Sequence, residues 1–514
     1  MKAVSVEAMR ALDARTIAFG TSGFDLMERA GRAAFREMCD LLEARLPRPA
    51  RRSFTVLAGK GNNGGDAYVV ARCLAEAGLP AAVYAIVAPS ELTGDALAHA
   101  THLPPEVPVQ TVEELPAESL VPGHVVIDGL LGTGFKGSLR PPYERWVNQV
   151  NAAHCPTVAL DIPSGLDGDT GLSAGAAIEA DLTVTMALPK AGLLTPSGLR
   201  HCGSLRCVDI GIPPALVAEA PASGPEGMLL QDARALVRRR PRDSHKGVFG
   251  HVLVVGGSGW YAGAPFLAGL GALRSGAGLV TVAIPTGCEP LCAVPASLIV
   301  RRVTGDGAGF LGRASLDDVR SLAEGRQAVV YGPGLGAAPQ GIEVLAEILR
   351  GGVPLVVDAD GLRQLAACPS LTLGARAAMV LTPHPGEMAV LLAGYGCRLP
   401  AGASRVEQAE ALSRASHAVV VLKGLGTVVA APDGRMIINT SGSPALATAG
   451  TGDVLAGVIG ALLAQRLPPW DAARLGVFVH GLAAELYPGA ECSLTADDLA
   501  DLLGPAWREV SPRA

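Results

Sequence analysis

Apolar residues along this chain follow two patterns: a helical period near the start and short unbroken runs through most of the remainder. Leu26, Met27, Ala30, Ala33, Ala34, Met38, Leu41 and Leu42 recur at the 3.6-residue period and predict one amphipathic helix over 24–46. Runs rich in Val, Ile and Leu then alternate with helical stretches, and they predict strands over 53–59, 81–87, 124–128, 157–162, 181–187 and 205–210. Continuous apolar content without polar alternation fits parallel strands covered on both faces. With helices between them, the strands make a doubly wound α/β unit.

The pattern breaks after Pro213-Pro214. Ala218-Glu219-Ala220-Pro221-Ala222-Ser223-Gly224-Pro225-Glu226-Gly227 has no period and reads as an interdomain linker. A second α/β pattern opens at His251-Val252-Leu253-Val254-Val255-Gly256-Gly257, with further strands over 279–284, 328–331, 354–358, 379–382, 419–423 and 436–439. The halves share no repeat, so the chain reads as two different α/β folds, 1–215 and 231–510, joined by 216–230. A chain this long exceeds what one core supports.

Composition narrows the class. Apolar residues make up 49% and charged residues 18%, enough for a buried core and unlike a disordered chain. A net charge of -6 and 4% aromatics argue against a dedicated nucleic-acid surface. The opening Met-Lys-Ala-Val-Ser lacks a basic region followed by an apolar core, and no uncharged apolar run reaches the ~20 residues of a membrane span. The ten cysteines are scattered; Cys288 and Cys292 have no second pair, which favours buried thiols over zinc. A soluble cytoplasmic protein without nucleic-acid or membrane partners is expected.

The candidate chemistry lies in two glycine-rich loops, each ending in aspartate. Gly61-Asn62-Asn63-Gly64-Gly65-Asp66 follows the first predicted strand and enters a helix. Free backbone N–H groups and the helix dipole make such a turn an anion site, though an unliganded Gly/Asn turn looks the same in sequence. Two further strand tips carry aspartate: Asp128, before Gly129-Leu130-Leu131-Gly132-Thr133-Gly134-Phe135-Lys136-Gly137-Ser138, and Asp161, before Ile162-Pro163-Ser164-Gly165. A lone aspartate there is often a helix cap. Convergent tips bearing hard oxygen ligands point to a cation or reactive centre.

The second loop, Thr448-Ala449-Gly450-Thr451-Gly452-Asp453, precedes an apolar helix. Amides there could stabilise a moving phosphoryl group while Asp453 takes a hydroxyl proton, against the plainer reading of Asp453 as an N-cap. Companion strand ends are Gly332-Pro333-Gly334-Leu335-Gly336, Asp358-Ala359-Asp360, Thr382-Pro383-His384-Pro385-Gly386-Glu387-Met388 and Lys423-Gly424. His384, held between two prolines, is a binding candidate, although a histidine in such a loop is more often simply satisfied by local hydrogen bonds.

The motifs of the first half together resemble the NAD(P)HX epimerase family, whose members interconvert the R and S forms of hydrated NADH and NADPH. The resemblance implies a Rossmann-like three-layer α/β/α sandwich, with one potassium ion held by Asn63, Asp128 and Ser164. It also implies that Asn62, Asn63, Gly64, Gly65, Asp66, Asp161 and the stretch Gly132 to Ser138 contact the hydrated dinucleotide. Asp128 and Asp161 both remain candidates for the general acid/base.

The second half resembles the ADP- or ATP-dependent NAD(P)HX dehydratases, a branch of the ribokinase-like fold. That resemblance implies contact of Ala264, Gly334, Gly336, the segment Thr382 to Met388 and Asp453 with the hydrated nicotinamide nucleotide. Lys423, Gly424, Leu425, Gly426, Thr427, Ser443, Ala449, Gly450, Thr451 and Gly452 would hold ADP or ATP, with Glu387 ordering Mg²⁺ through water. This chain has Ser443-Pro444-Ala445 and Thr448-Ala449-Gly450 where that family commonly shows Asn-Pro-Gly and Thr-Gly-Gly; alanine keeps the N–H but restricts φ. The implied whole is a bifunctional repair enzyme, expected as a homo-oligomer, in which Asp453 is the base that lets phosphate replace water as leaving group. A small-alcohol or vitamin kinase fused to a nucleotide-binding domain is the rival reading. A first domain that only senses a ligand is a third.

Overall fold

The computed structural model describes residues 1–45, 53–289, 294–336 and 340–511; Cys292 lies outside them. Two compact units divide the chain, Met1–Leu229 and Leu230–Ala514. The nine described cysteines are free thiols. No helix among the described residues is long and apolar enough to cross a membrane.

The first unit is built on β1 (Ser53–Ala58), β2 (Ala81–Ala85), β3 (Val109–Thr111), β4 (His124–Gly129), β5 (Thr157–Leu160), β6 (Leu182–Met186) and β7 (Ser204–Val208). They form a parallel sheet in the order β3-β2-β1-β4-β5-β6-β7. The unbroken apolar runs have a direct cause, since both faces are covered. Phe54, Val56, Ala58, Val125 and Ile127 enter one core cluster, while Leu57 and Val126 enter another. The helix Gly23–Arg45 lays Leu26, Ala30, Ala33, Ala34 and Met38 on the first of these clusters. Strand order reverses between β1 and β4, and in such sheets the crevice opens at that switch point.

The stretch expected to be a linker differs from that reading. Pro214–Glu219 is helical, and Leu216 and Ala220 are buried in the first core. The Ser223 and Gly227 N–H groups donate to Ala3 O and Met1 O, and β8 (Glu226–Met228) follows. Scattered apolar positions, too few to show a period, seat the helix Pro214–Glu219 on the first core.

The second unit carries β9 (His251–Val255), β10 (Leu279–Pro285), β11 (Ile299–Val303), β12 (Ala328–Tyr331), β13 (Leu355–Val357), β14 (Met379–Leu381), β15 (Val419–Leu422), β16 (Val428–Ala430) and β17 (Met436–Asn439). These run β11-β10-β9-β12-β13-β14-β15-β16-β17, parallel up to β15 and antiparallel for the last two pairings. The helix Thr451–Ala464 is apolar on all sides and almost wholly buried, as its composition requires. Its Gly457 lies so near the helix Ala264–Arg274 that a Cβ would stand 1.9 Å from Ala268 O. That close seat carries the start of the helix to the tips of β13 and β15.

Besides β8, three short strands escaped the sequence reading. β3 and β11 expose polar side chains, including Arg301 and Arg302, and so lack the continuous apolar signature. β16 has only three residues.

Candidate active sites

In the first unit the loops after β1 and β4 close on one another through glycines. The Gly59 N–H donates to Gly129 O at 3.1 Å, and a Cβ on Gly59 would fall 1.8 Å from Leu130 O. Asn62–Glu76 is a helix whose N-cap, Gly61, supplies no side-chain cap, so its first turn presents N–H groups to the crevice. Gly132 lies opposite, where a Cβ would sit 3.4 Å from Asn63 Cβ. The rest of that loop forms the exposed rim: Thr133 O accepts from Arg10, Lys136 Nζ lies 3.5 Å from Asp169, and Ser138 Oγ donates to Ala174 O.

Beneath the rim Asp128 is fully buried and its carboxylate is saturated. Ser164 N donates to Oδ2 at 2.8 Å, while Ser164 Oγ at 2.6 Å and Leu130 N at 3.2 Å donate to Oδ1. Burial pushes this carboxyl up to about 6 against those hydrogen bonds. Asn63 Nδ2 donates to Leu131 O at 2.8 Å, but Asn63 Oδ1 is buried with no hydrogen-bond partner. Asn63, Ser164 and Asp128 therefore belong to one network, and within it an amide oxygen is left without a donor. An orphaned buried acceptor among hard oxygen atoms suits a hard cation.

Asp161 occupies the tip of β5 with φ +64°. Its Oδ1 accepts from Thr185 Oγ1 at 3.2 Å, Met186 N at 3.1 Å and the ammonium of Lys190. Asp13 and Asp66 lie in the same field. Burial first, then the charge of Asp161, raises both carboxyls, Asp66 well above its usual range and Asp13 to about 6. Lys190 and Asp13 were missed by the sequence reading.

In the second unit five strand tips converge. The Gly257 N–H donates to Pro333 O at 2.8 Å, joining the loops after β9 and β12 across the switch point. Gly334 abuts Ala264: a Cβ there would stand 3.1 Å from the alanine Cβ and 2.6 Å from Tyr261 O. The Gly336 N–H donates to Asp360 Oδ2 at 2.8 Å. His384 is the N-cap of the helix Pro385–Gly394, with Nδ1 accepting from Gly386 and Glu387 N–H groups. That satisfies one edge of the ring; the imidazole is half exposed, and its Nε2 lies 3.4 Å from Glu387 Oε1. Glu387 closes the capping box through His384 N and is buried, as is Met388, while Thr382 Oγ1 donates to Val357 O.

Lys423 links the acids. Its Nζ donates to the buried Asp358 at 2.9 Å and stands 4.0 Å from Glu387. Burial pulls the ammonium down, but Asp358 and Glu387 outweigh it and hold the pKa above normal. Burial raises the Glu387 carboxyl, opposed by Lys423. A Cβ on Gly452 would lie 3.3 Å from Lys423 Nζ and 4.0 Å from Asp358 Oδ2, which places the start of the helix Thr451–Ala464 against this pair.

The N-cap of that helix is Gly450 at φ +91°, with no side-chain cap. Asp453 is thus no cap; it sits in the first turn, without a hydrogen-bond partner among the described residues. Burial, then the charges of Asp358, Asp360 and Glu387, push its carboxyl up to about 8, Lys423 opposing. The positive φ falls on Gly450, and Ala449 has none, so alanine at 449 meets no backbone demand for glycine. Ser443 caps the short turn Pro444–Leu446. His480, also unforeseen, is buried and held down to about 4, and its Nε2 lies 2.8 Å from Thr451 O.

The loop Lys423-Gly424-Leu425-Gly426-Thr427 wraps a guanidinium. Arg405 donates to Leu422 O, Lys423 O, Leu425 O and Gly426 O, and it forms no ion pair among the described residues. Gly424 permits the approach, since a Cβ there would meet Arg405 Nη2 at 3.0 Å.

A family model described as "NAD(P)H-hydrate dehydratase" matches residues 252–504, and one described as "YjeF-related protein N-terminus" matches 23–192. A bifunctional NAD(P)H-hydrate repair enzyme of Moorella thermoacetica is 39% identical over 470 residues, covering 88% of this chain and 87% of that protein. One from Salinibacter ruber is 40% identical over 524 residues, covering 96% and 94%. Among solved structures, an ADP/ATP-dependent NAD(P)H-hydrate dehydratase from Bacillus subtilis, co-crystallised with ATP/Mg²⁺, is 30% identical, with a TM-score of 0.48, and covers 56% of this chain and 100% of its own. With two family models in tandem and relatives matched along nearly their full length, the chain belongs to the bifunctional NAD(P)H-hydrate repair enzymes.

Proposed function

We propose that the first unit interconverts the R and S hydrates of NADH and NADPH, and that the second dehydrates the S form using ADP or ATP. The observation that carries the reading is Asp453: a half-buried carboxyl without a hydrogen-bond partner among the described residues, in the first turn of an uncapped helix and beside Lys423. A group so placed can take the proton of a ring hydroxyl as the phosphoryl group arrives, while the N–H groups of the helix start and Lys423 offset the moving negative charge. Phosphate is then the leaving group where water would have been a poor one. The loop 423–427 and the turn 443–452 would hold the nucleotide, and Ala264, Gly334, Gly336 and His384 the hydrate.

Glu387, with Asp358 beside it, offers the hard oxygen atoms that would hold Mg²⁺ through water, and the ion would supply charge neutralisation on the phosphates. In the first unit Asn63, Asp128 and Ser164 would hold K⁺, a reading supported by the orphaned Asn63 Oδ1. The ion would fix the loops around the dinucleotide. Because both oxygens of Asp128 are engaged, Asp161 is the acid/base we assign.

The test is incubation of the full chain with mixed hydrate epimers, with ADP, with ATP and without nucleotide, following the absorbance of restored cofactor and the epimer ratio. Full recovery of cofactor with either nucleotide, and epimer exchange without one, is expected. A stable phosphorylated alcohol in place of restored cofactor would favour the kinase reading.

A further inference from the structure

We propose that Lys190 is a positioning residue of the first reaction centre: it fixes Oδ1 of Asp161 and so leaves Oδ2 as the oxygen that exchanges a proton with the hydrated ring. The inference deepens the epimerase reading and rests on it. Lys190 lies just past β6, is 1% exposed, and spends its three ammonium hydrogens inside the fold. They go to Asp161 Oδ1, to Thr185 Oγ1 at 3.1 Å and to Met186 O at 3.2 Å. An ammonium so saturated has no N–H left for a ligand, and it cannot itself be the acid that meets the substrate. What it does is done through Asp161.

Three donors converge on Oδ1, from Thr185, Met186 and Lys190, whereas none of the described residues donates to Oδ2. The backbone contributes as well. Asp161 holds φ +64°, a left-handed conformation that aspartate tolerates at some cost and that turns the side chain at the strand tip. A carboxylate with one oxygen pinned and the other open is a directed base.

Two further carboxyls face the pair: Asp13 from the helix Val6–Ala18 and Asp66 from the helix Asn62–Glu76. One ammonium serves three acids, and burial and the charge of Asp161 raise the Asp66 carboxyl, which makes Asp66 the proton donor of the set. The carbon–oxygen bond to the departing hydroxyl breaks as the ring-nitrogen lone pair forms a carbon–nitrogen double bond, and the hydroxyl takes the Asp66 proton and leaves as water. Water adds to the opposite face, the double-bond pair returns to nitrogen, and the surplus proton passes to Asp161 Oδ2. Transfer of that proton to Asp66 restores the start.

The experiment follows epimer exchange by chromatography from about pH 5 to about pH 9, in the full chain without nucleotide, so that the second reaction is silent. Lys190→Met should slow exchange roughly 10²-fold and move the pH–rate profile upward by about one unit, because Asp66 and Asp13 lose the neighbouring cation that lowers them. A Lys190→Met enzyme with its rate intact, or slowed equally at every pH with an unmoved profile, overturns the inference. Should that variant fail to fold, Thr185→Val removes one donor from Oδ1 and keeps the ammonium. It should lower kcat with KM unchanged, and an unaltered kcat overturns the inference equally. Asp161→Asn separates the two levels: unchanged exchange in that variant removes the epimerase assignment of Asp161 itself, whatever Lys190 does.

Discussion

Replacing Asp453 by asparagine should make the second unit more stable, and increasingly so as pH rises. In the unfolded chain this carboxyl ionises near 3.8, whereas in the folded unit it is held up to about 8. Below about pH 4 it is protonated in both states and exacts nothing. As pH rises from there to about 8 the unfolded state loses its proton first, so stability falls throughout that window and is level above it. At 1.36 kcal/mol per unit, the loss accumulated by pH 7 is about 4 kcal/mol, and partial exposure reduces it to on the order of 2–3 kcal/mol. The asparagine amide does not ionise, so it carries no such burden, and it is nearly isosteric with the carboxyl. Calorimetry of the full chain with chelator and without nucleotide should therefore show the melting temperature of the second unit raised by several degrees at pH 8 in Asp453→Asn, the gap narrowing towards pH 5. That transition is recognised by its upward shift on adding ADP. A gap of constant size across the range, or a variant melting below wild type at pH 8, would refute the account of Asp453 as a base kept in place against the stability of its own fold.

Asp453→Ala should lower nucleotide-dependent loss of the S hydrate by at least about 10²-fold while epimer exchange continues at its normal rate, both read in one reaction mixture. Asp128→Asn should weaken the first unit by about 1–3 kcal/mol in urea unfolding at about pH 4, where no buried charge is relieved, because its NH₂ sets a buried donor against Ser164 N or against Ser164 Oγ and Leu130 N. Epimer exchange should fall with it. Arg405→Lys should raise the KM for ADP about tenfold and leave the KM for the hydrate unchanged, since an ammonium cannot span four carbonyls in the plane of a guanidinium. Equal changes in both KM values would show that the loop 423–427 is not the nucleotide side of the site.

The sheets were legible because a strand buried on both faces has to be apolar at every position, as Leu57 and Val126 on one side and Val56 and Ile127 on the other illustrate. Strands at the margin carry no such demand, and β3 and β11 passed unnoticed for that reason. Lys190 was invisible on different grounds. Its partner Asp161 is 29 residues away, and a single lysine after an apolar run reads as a strand end meeting water. The available signal was Pro189-Lys190 following seven residues already assigned to a buried strand. The glycine loops were found, yet for a reason that the structure divides in two. Gly59, Gly64 and Gly129 are imposed by packing: a Cβ on Gly64 would fall 2.0 Å from Gly59 O, and one on Gly129 would fall 2.5 Å from Ala67 Cβ. Gly61 has nothing within 4 Å, and so it is the glycine that packing leaves unexplained. Most of the glycine signal therefore reports two loops forced together where strand order reverses, and the ligand follows because the same crossing opens the crevice. What separates a reactive crevice from a mere crossing is the acid placed there: Asp453 without a hydrogen-bond partner among the described residues, Asp161 with one oxygen held and the other open.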